Sequence, residues 1–208
     1  MRGALLAFLL STTPAAFPAE SMTVAVCNTS PASRSRIRRA ENETAYVFRK
    51  IGVEIRWTEC GSEVGASDMR MRPDFIVRVQ AGGQTITAGP VSLETMGRAF
   101  MDGTGYGFMV DTYCDAIHEL AQLYSIASDD QVLGYTMAHE LGHLLIGPGH
   151  RSDGIMRAAW GRQELESLKR RHLTFNAWER SAIVHQLRMR RDTSRVPIEA
   201  GLQRPQNE

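Results

Sequence analysis

Between Ser128 and Gly147 the chain carries a helix whose two ends are both written into the sequence, and every other segment has to pack around it. Ser128 is placed to cap its start, Gln131 stands where a capping box needs its partner, and Asp129 and Asp130 put negative charge at the positive end of the helix dipole. Gly147-Pro148 ends it after Ile146. Leu133, Met137, Leu141, Leu144 and Leu145 share one side, which predicts a dry face against a core. Val132 and Thr136 share the other side with His139 and His143, so that face is predicted to be the working one.

In His139-Glu140-Leu141-Gly142-His143 the two histidines lie one helical turn apart and project together, close enough to share a metal ion. Glu140 projects about 100° round from His139, beside the pair. This donor set suits Zn2+, which lowers the pKa of water toward neutrality where a nearby carboxylate can accept the proton. A catalytic zinc usually has three protein ligands and one open position. His150 is the first candidate for the third, because Gly147-Pro148-Gly149 suits a sharp chain reversal; Asp153 is the alternative, and Glu164 and Glu166, on a downstream helix, are more distant ones.

The remaining sequence predicts one domain over residues 20–192. With 208 residues, 43% of them hydrophobic, the chain can bury one good core. Its 24 basic and 23 acidic side chains nearly cancel, so no overall field recruits nucleic acid or an anionic membrane. Residues 1–19 open with Arg2, a short apolar run from Ala4 to Leu10 and then small residues, the plan of a signal peptide. An exported chain, periplasmic or extracellular, is therefore expected, with no membrane-spanning segment. Cys27, Cys60 and Cys114 allow one disulfide and one leftover thiol, with the pairing open.

Strands are predicted over Met22–Cys27, Val53–Trp57, Asp74–Val79 and Tyr106–Tyr113, and helices over Pro31–Ile51 and Phe175–Arg190. Residues 193–208 read as a flexible tail. The expected class is α+β: a twisted mixed sheet packed against an N-terminal helix and the histidine-bearing helix, with a C-terminal helix. The basic cluster Arg34, Arg36, Arg38 and Arg39 reads as a solvated helix face, and His118, His172 and His185 as surface residues.

From His139 to His150, with Gly154-Ile155-Met156 beyond, the chain resembles the metzincin class of zinc peptidases, whose motif is His-Glu-x-x-His-x-x-Gly-x-x-His followed by a methionine turn. Gly147 and His150 each stand one residue later than in that motif. The stretch on to Trp160 also looks like matrixin-type proteins. The resemblance implies that Met156 lies beneath the metal as an apolar floor, and that the strand around Gly97 to Phe100 forms a sheet edge where an extended peptide adds.

The function this reading points to is a secreted zinc-dependent endopeptidase acting on peptide or protein substrate with Glu140 as general base; the oligomeric state is open, a monomer being favoured. A zinc hydrolase of non-peptide amides or esters, and an inactive zinc-containing peptide-binding module, are the alternatives.

Overall fold

A computed structural model of the protein describes residues 20–61, 73–82 and 96–194. The signal-peptide expectation over 1–19, and the tail expectation beyond Ser194, lie outside them.

The first strand, β1, runs Glu20–Asn28, followed by α1 (Arg34–Arg49), β2 (Val53–Glu59) and β3 (Phe75–Gln80). Two further strands, β4 (Gly97–Met101) and β5 (Gly107–Tyr113), precede four helices: α2 (Cys114–Tyr124), α3 (Asp129–Ile146), α4 (Arg162–Lys169) and α5 (Ala177–Ser194). The five strands form one mixed sheet in the order β2-β1-β3-β5-β4. Neighbouring strands are parallel except β4, which pairs antiparallel with β5 and, among the described residues, forms one edge of the sheet. The α+β architecture expected from the sequence is the one observed.

Alternation along the strands sorts side chains onto two faces. Met22, Val24 and Val26 of β1, Phe75, Val77 and Val79 of β3, and Val110 of β5 are buried on the face that meets the helices. There α1 packs on β2 and against α3, α3 on β4 and β5, and α5 on β1 and α3. The opposite face of β2, with Glu54 and Arg56, is exposed.

The predicted dry and working faces of α3 are not what the structure shows. Every residue from Val132 to Leu145 is buried, because α1, α2, α4, α5 and the sheet enclose the helix on all sides. Thr136 sits there without cost because its hydroxyl donates back to the Val132 carbonyl at 2.9 Å. A helix buried all round is a central helix, and this one reaches solvent only at its two ends.

Charged side chains tie α1 to its neighbours. Arg36 pairs with Asp129, Arg39 with Asp130 at 2.7 Å and Arg34 with Glu59, so the basic cluster read as a solvated face is partly engaged at the start of α3. Cys27 and Cys60 form a disulfide joining the ends of β1 and β2, while Cys114 is a buried thiol. Among the described residues no helix is long and apolar enough to cross a membrane.

Helix α2 has no counterpart in the sequence reading, which marks α4 only as a downstream helix bearing Glu164 and Glu166, without bounds. The chain enters α2 directly from β5 through Tyr113, which makes no side-chain cap, so no punctuation separates strand from helix. In α4 the start is marked only by Glu164, whose carboxylate accepts the Gly161 amide at 2.8 Å. The last helix starts at Ala177 and continues to Ser194, four residues beyond its expected end at Arg190.

Candidate metal centre

The helical spacing of His139 and His143 brings their Nε2 atoms to 3.0 Å. His150 joins them from the turn after α3, and one nitrogen from each of the three rings falls within 4.8 Å of the others. A tetrahedral zinc at about 2.0–2.1 Å from each nitrogen separates its ligands by roughly 3.3 Å, which this cluster brackets.

Hydrogen bonding sets which nitrogens face the cluster. His139 Nδ1 lies 2.7 Å from the Ile155 carbonyl and His143 Nδ1 lies 3.3 Å from that of Gly147. A carbonyl only accepts, so each Nδ1 carries the hydrogen and each Nε2 presents a lone pair in the neutral ring. Burial, reinforced by the nearby His143, pushes the His139 pKa down to about 3, so this ring is neutral at ordinary pH. Two lone pairs directed at one point, with a third imidazole beside them, make a donor set that a cation satisfies. The residues fit zinc.

The turn that carries His150 absorbs the extra residue through backbone conformation. Gly147 and Gly149 have φ of 98° and 99°, a region that strains any residue with a Cβ. The Gly147 amide still donates to the His143 carbonyl at 2.9 Å, closing the helix before the reversal.

Asp153 lies exposed on the following loop and is not one of the clustered groups. Glu164 is held by Arg157 at 2.5 Å as well as by the Gly161 amide, and Glu166 faces Arg170 at 3.8 Å; neither joins the histidines.

Met156 is buried against α3, and a Cβ added at Gly142 would lie 2.7 Å from its sulfur. The loop is anchored by the Arg151 amide donating to the Met156 carbonyl at 2.8 Å. The Met156 segment thus does two things. Its side chain fills the space beneath the histidine-bearing turn of α3, and the neighbouring Ile155 carbonyl orients His139.

Glu140 is buried beside the histidines, in the wall of a cleft of about 440 Å³ lined by Gly97, Arg98, Ala99, Met101, His143, Pro148, Gly149 and His150. Its carboxylate packs on the backbone of β4: a Cβ at Gly97 would stand 2.8 Å from Oε1 and 2.7 Å from Cγ. Only glycine allows the edge strand to come this close.

Sequence reasoning missed three contributions: the contact of Gly97 with Glu140, the Ile155 carbonyl, and Trp160, whose indole packs edge-on to His139 at 6.1 Å between ring centroids. Gly97 had a signal, since it was placed on a possible edge strand. The other two follow from how the loop folds back under α3.

No protein-family model and no curated protein matches the chain. Among solved structures it is similar to the archaemetzincin of Methanopyrus kandleri, with 15% identity and a TM-score of 0.46 over 81% of this chain and 96% of that one. It is also similar to metalloproteinase-II of Bacteroides fragilis, with 14% identity and a TM-score of 0.45 over 84% of this chain and 55% of that one. Neither is a matrixin by name.

Proposed function

We propose that the chain is a secreted zinc-dependent endopeptidase in which His139, His143 and His150 hold the metal and Glu140 is the general base. The observation that carries this reading is the convergence of three imidazole nitrogens within 4.8 Å at a cleft whose wall also holds Glu140. Bound there, zinc supplies Lewis acidity toward a carbonyl oxygen and lowers the pKa of water.

The chain's own residues do the rest. Glu140 takes the proton of the attacking water and returns it to the departing amine nitrogen. The Ile155 and Gly147 carbonyls fix ring orientation, and Met156 gives the site an apolar floor. Since β4 is an edge strand among the described residues and Gly97 brings it onto the Glu140 carboxylate, an extended peptide added to that edge passes directly over the base. Secretion is supported by the N-terminal pattern and by the Cys27–Cys60 disulfide, a bond favoured outside the reducing cytosol.

The test is bound zinc per chain together with cleavage of an unstructured protein, for wild type and Glu140→Gln. Wild type is expected to hold stoichiometric zinc and to cleave, and Glu140→Gln to keep the zinc and lose cleavage. Zinc without any cleavage by wild type overturns the peptidase reading in favour of a peptide-holding module. Turnover of small amides or esters alone moves the substrate class.

A further inference from the structure

Strand β4 is both an edge of the sheet, unpaired on its outer side among the described residues, and a wall of the cleft that holds Glu140. Gly97 faces α3, with its backbone against the Glu140 carboxylate, and Ala99 packs on the core. Arg98 and Phe100 therefore project from the other face. On that face the Arg98 guanidinium lies 5.4 Å from the centre of the Phe100 ring, and Arg78 of β3 approaches the same ring at 5.5 Å.

Strand register sets Asp111 of β5 between the two, opposite Arg78 on one side and Arg98 on the other. Two guanidiniums thus flank one carboxylate. Asp111 is 4% exposed, and its two oxygens accept from Arg78 at 2.6 and 2.8 Å. That bidentate geometry commits the carboxylate to Arg78. Arg98 is exposed and makes no ion pair among the described residues. A cation is left over at the edge of the sheet, next to the position where β4 touches Glu140.

We infer that Arg98 is a specificity-determining residue that selects an acidic side chain, Asp or Glu, in a peptide added to the free edge of β4. The inference rests on the peptidase reading and goes beyond it by naming a substrate class. In a strand paired to β4, the residue opposite Arg98 projects to the same face, with Cβ atoms about 4.5–5.5 Å apart. The residue opposite Gly97 points toward Glu140. The acidic preference therefore falls on the substrate residue next to that one, close to the bond being cut. Opposite charges directly across a strand pair attract and like charges repel. At this exposed position the preference for Glu over Gln in kcat/KM is about two- to fivefold, it inverts for Lys, and it weakens as salt rises.

The experiment is cleavage of a mixed peptide library in which acidic, neutral and basic residues compete at each position, with wild type, Arg98→Lys, Arg98→Ala and Arg98→Glu. Ranking within each enzyme cancels differences in overall rate. Wild type and Arg98→Lys are expected to favour acidic residues at one position, Arg98→Ala to lose that preference and Arg98→Glu to favour basic residues there. The same ranking in wild type and Arg98→Ala or Arg98→Glu overturns the assignment of Arg98 and leaves the peptidase reading standing. A wild type that cleaves no peptide overturns both.

Discussion

The helix-borne histidines and the turn-borne one are held in different ways. His139 and His143 are buried in the most enclosed helix of the molecule, their mutual geometry set by the helical repeat. His150 is half-buried and stands after a three-residue turn that depends on two positive-φ glycines. The first pair belongs to the core as much as to the site. The third imidazole belongs to the site alone, and its position is as good as the turn.

The sharpest way to break this contrast is to remove one ligand from each region. Structural zinc sites bind with about 10–16 kcal/mol, so each of three ligands accounts for about 4 kcal/mol, or roughly a thousandfold in affinity. His139→Ala and His150→Ala are both expected to lose zinc on that scale. They should part company in the metal-free protein. His139→Ala leaves the buried Ile155 carbonyl without its donor, at about 1–3 kcal/mol, and lowers Tm by about 3–10 °C. His150→Ala should leave Tm within about 1 °C. Equal melting losses in the two metal-free variants would show that the turn is as much part of the core as the helix.

Next in size is Gly142→Ala. The added methyl would sit 2.7 Å from the Met156 sulfur and 3.0 Å from the Phe175 ring, an overpacking that costs about 1–3 kcal/mol. Combining it with Met156→Ala should recover part of the loss, since the two changes share one space. Strict additivity of the two Tm shifts would mean that Met156 does not press on α3.

These contacts mark where the sequence was legible. The spacing of His139 and His143, the Ser128 and Gln131 start and the Gly147-Pro148 stop are local, and each needs only helical geometry to interpret. The strands of β1, β2, β3 and β5 were readable from alternation within a few residues of their ends, and the helix starting near Arg34 from its period. What lay out of reach is non-local. Thr136 and Val132 looked like part of a working face because nothing near them in sequence says that other elements cover α3. Gly97 meets Glu140 across 43 positions of chain, as their numbers show, and the Ile155 carbonyl meets His139 only because the loop folds back beneath the helix. A charged residue such as Arg98 is read as surface until register shows that its nearest carboxylate is already taken by Arg78.

Gly149→Ala tests the turn by itself. Nothing lies within 4 Å of the position a Cβ would take, so the whole cost is backbone strain at φ 99°, about 1–2 kcal/mol. Because the turn is exposed, it is expected to relax rather than unfold the domain. Zinc affinity should fall about tenfold with Tm changed by less than about 2 °C. A large melting loss with unchanged zinc affinity would reverse the roles assigned to turn and helix.

The smallest effect expected is at Glu179, which caps α5 by accepting the Asn176 amide at 2.7 Å and lies near Arg151 and Asp153, on the loop that follows His150. Burial holds its carboxyl above the ordinary carboxylate range, with the Asn176 amide and Arg151 pulling the other way. A folded-state pKa above the unfolded one means that folding favours the protonated form. Its stability contribution is complete below the unfolded pKa and declines as pH rises through the folded value. Glu179→Gln keeps a carbonyl acceptor and removes the ionisation, so its Tm relative to wild type should climb from pH 4 to pH 7. Zinc affinity at pH 7 should not change, because the turn is held by its own backbone and not by this charge. If Glu179→Gln weakens zinc binding, the loop beyond His150 is positioned electrostatically from α5, and the third ligand is tied to the core after all.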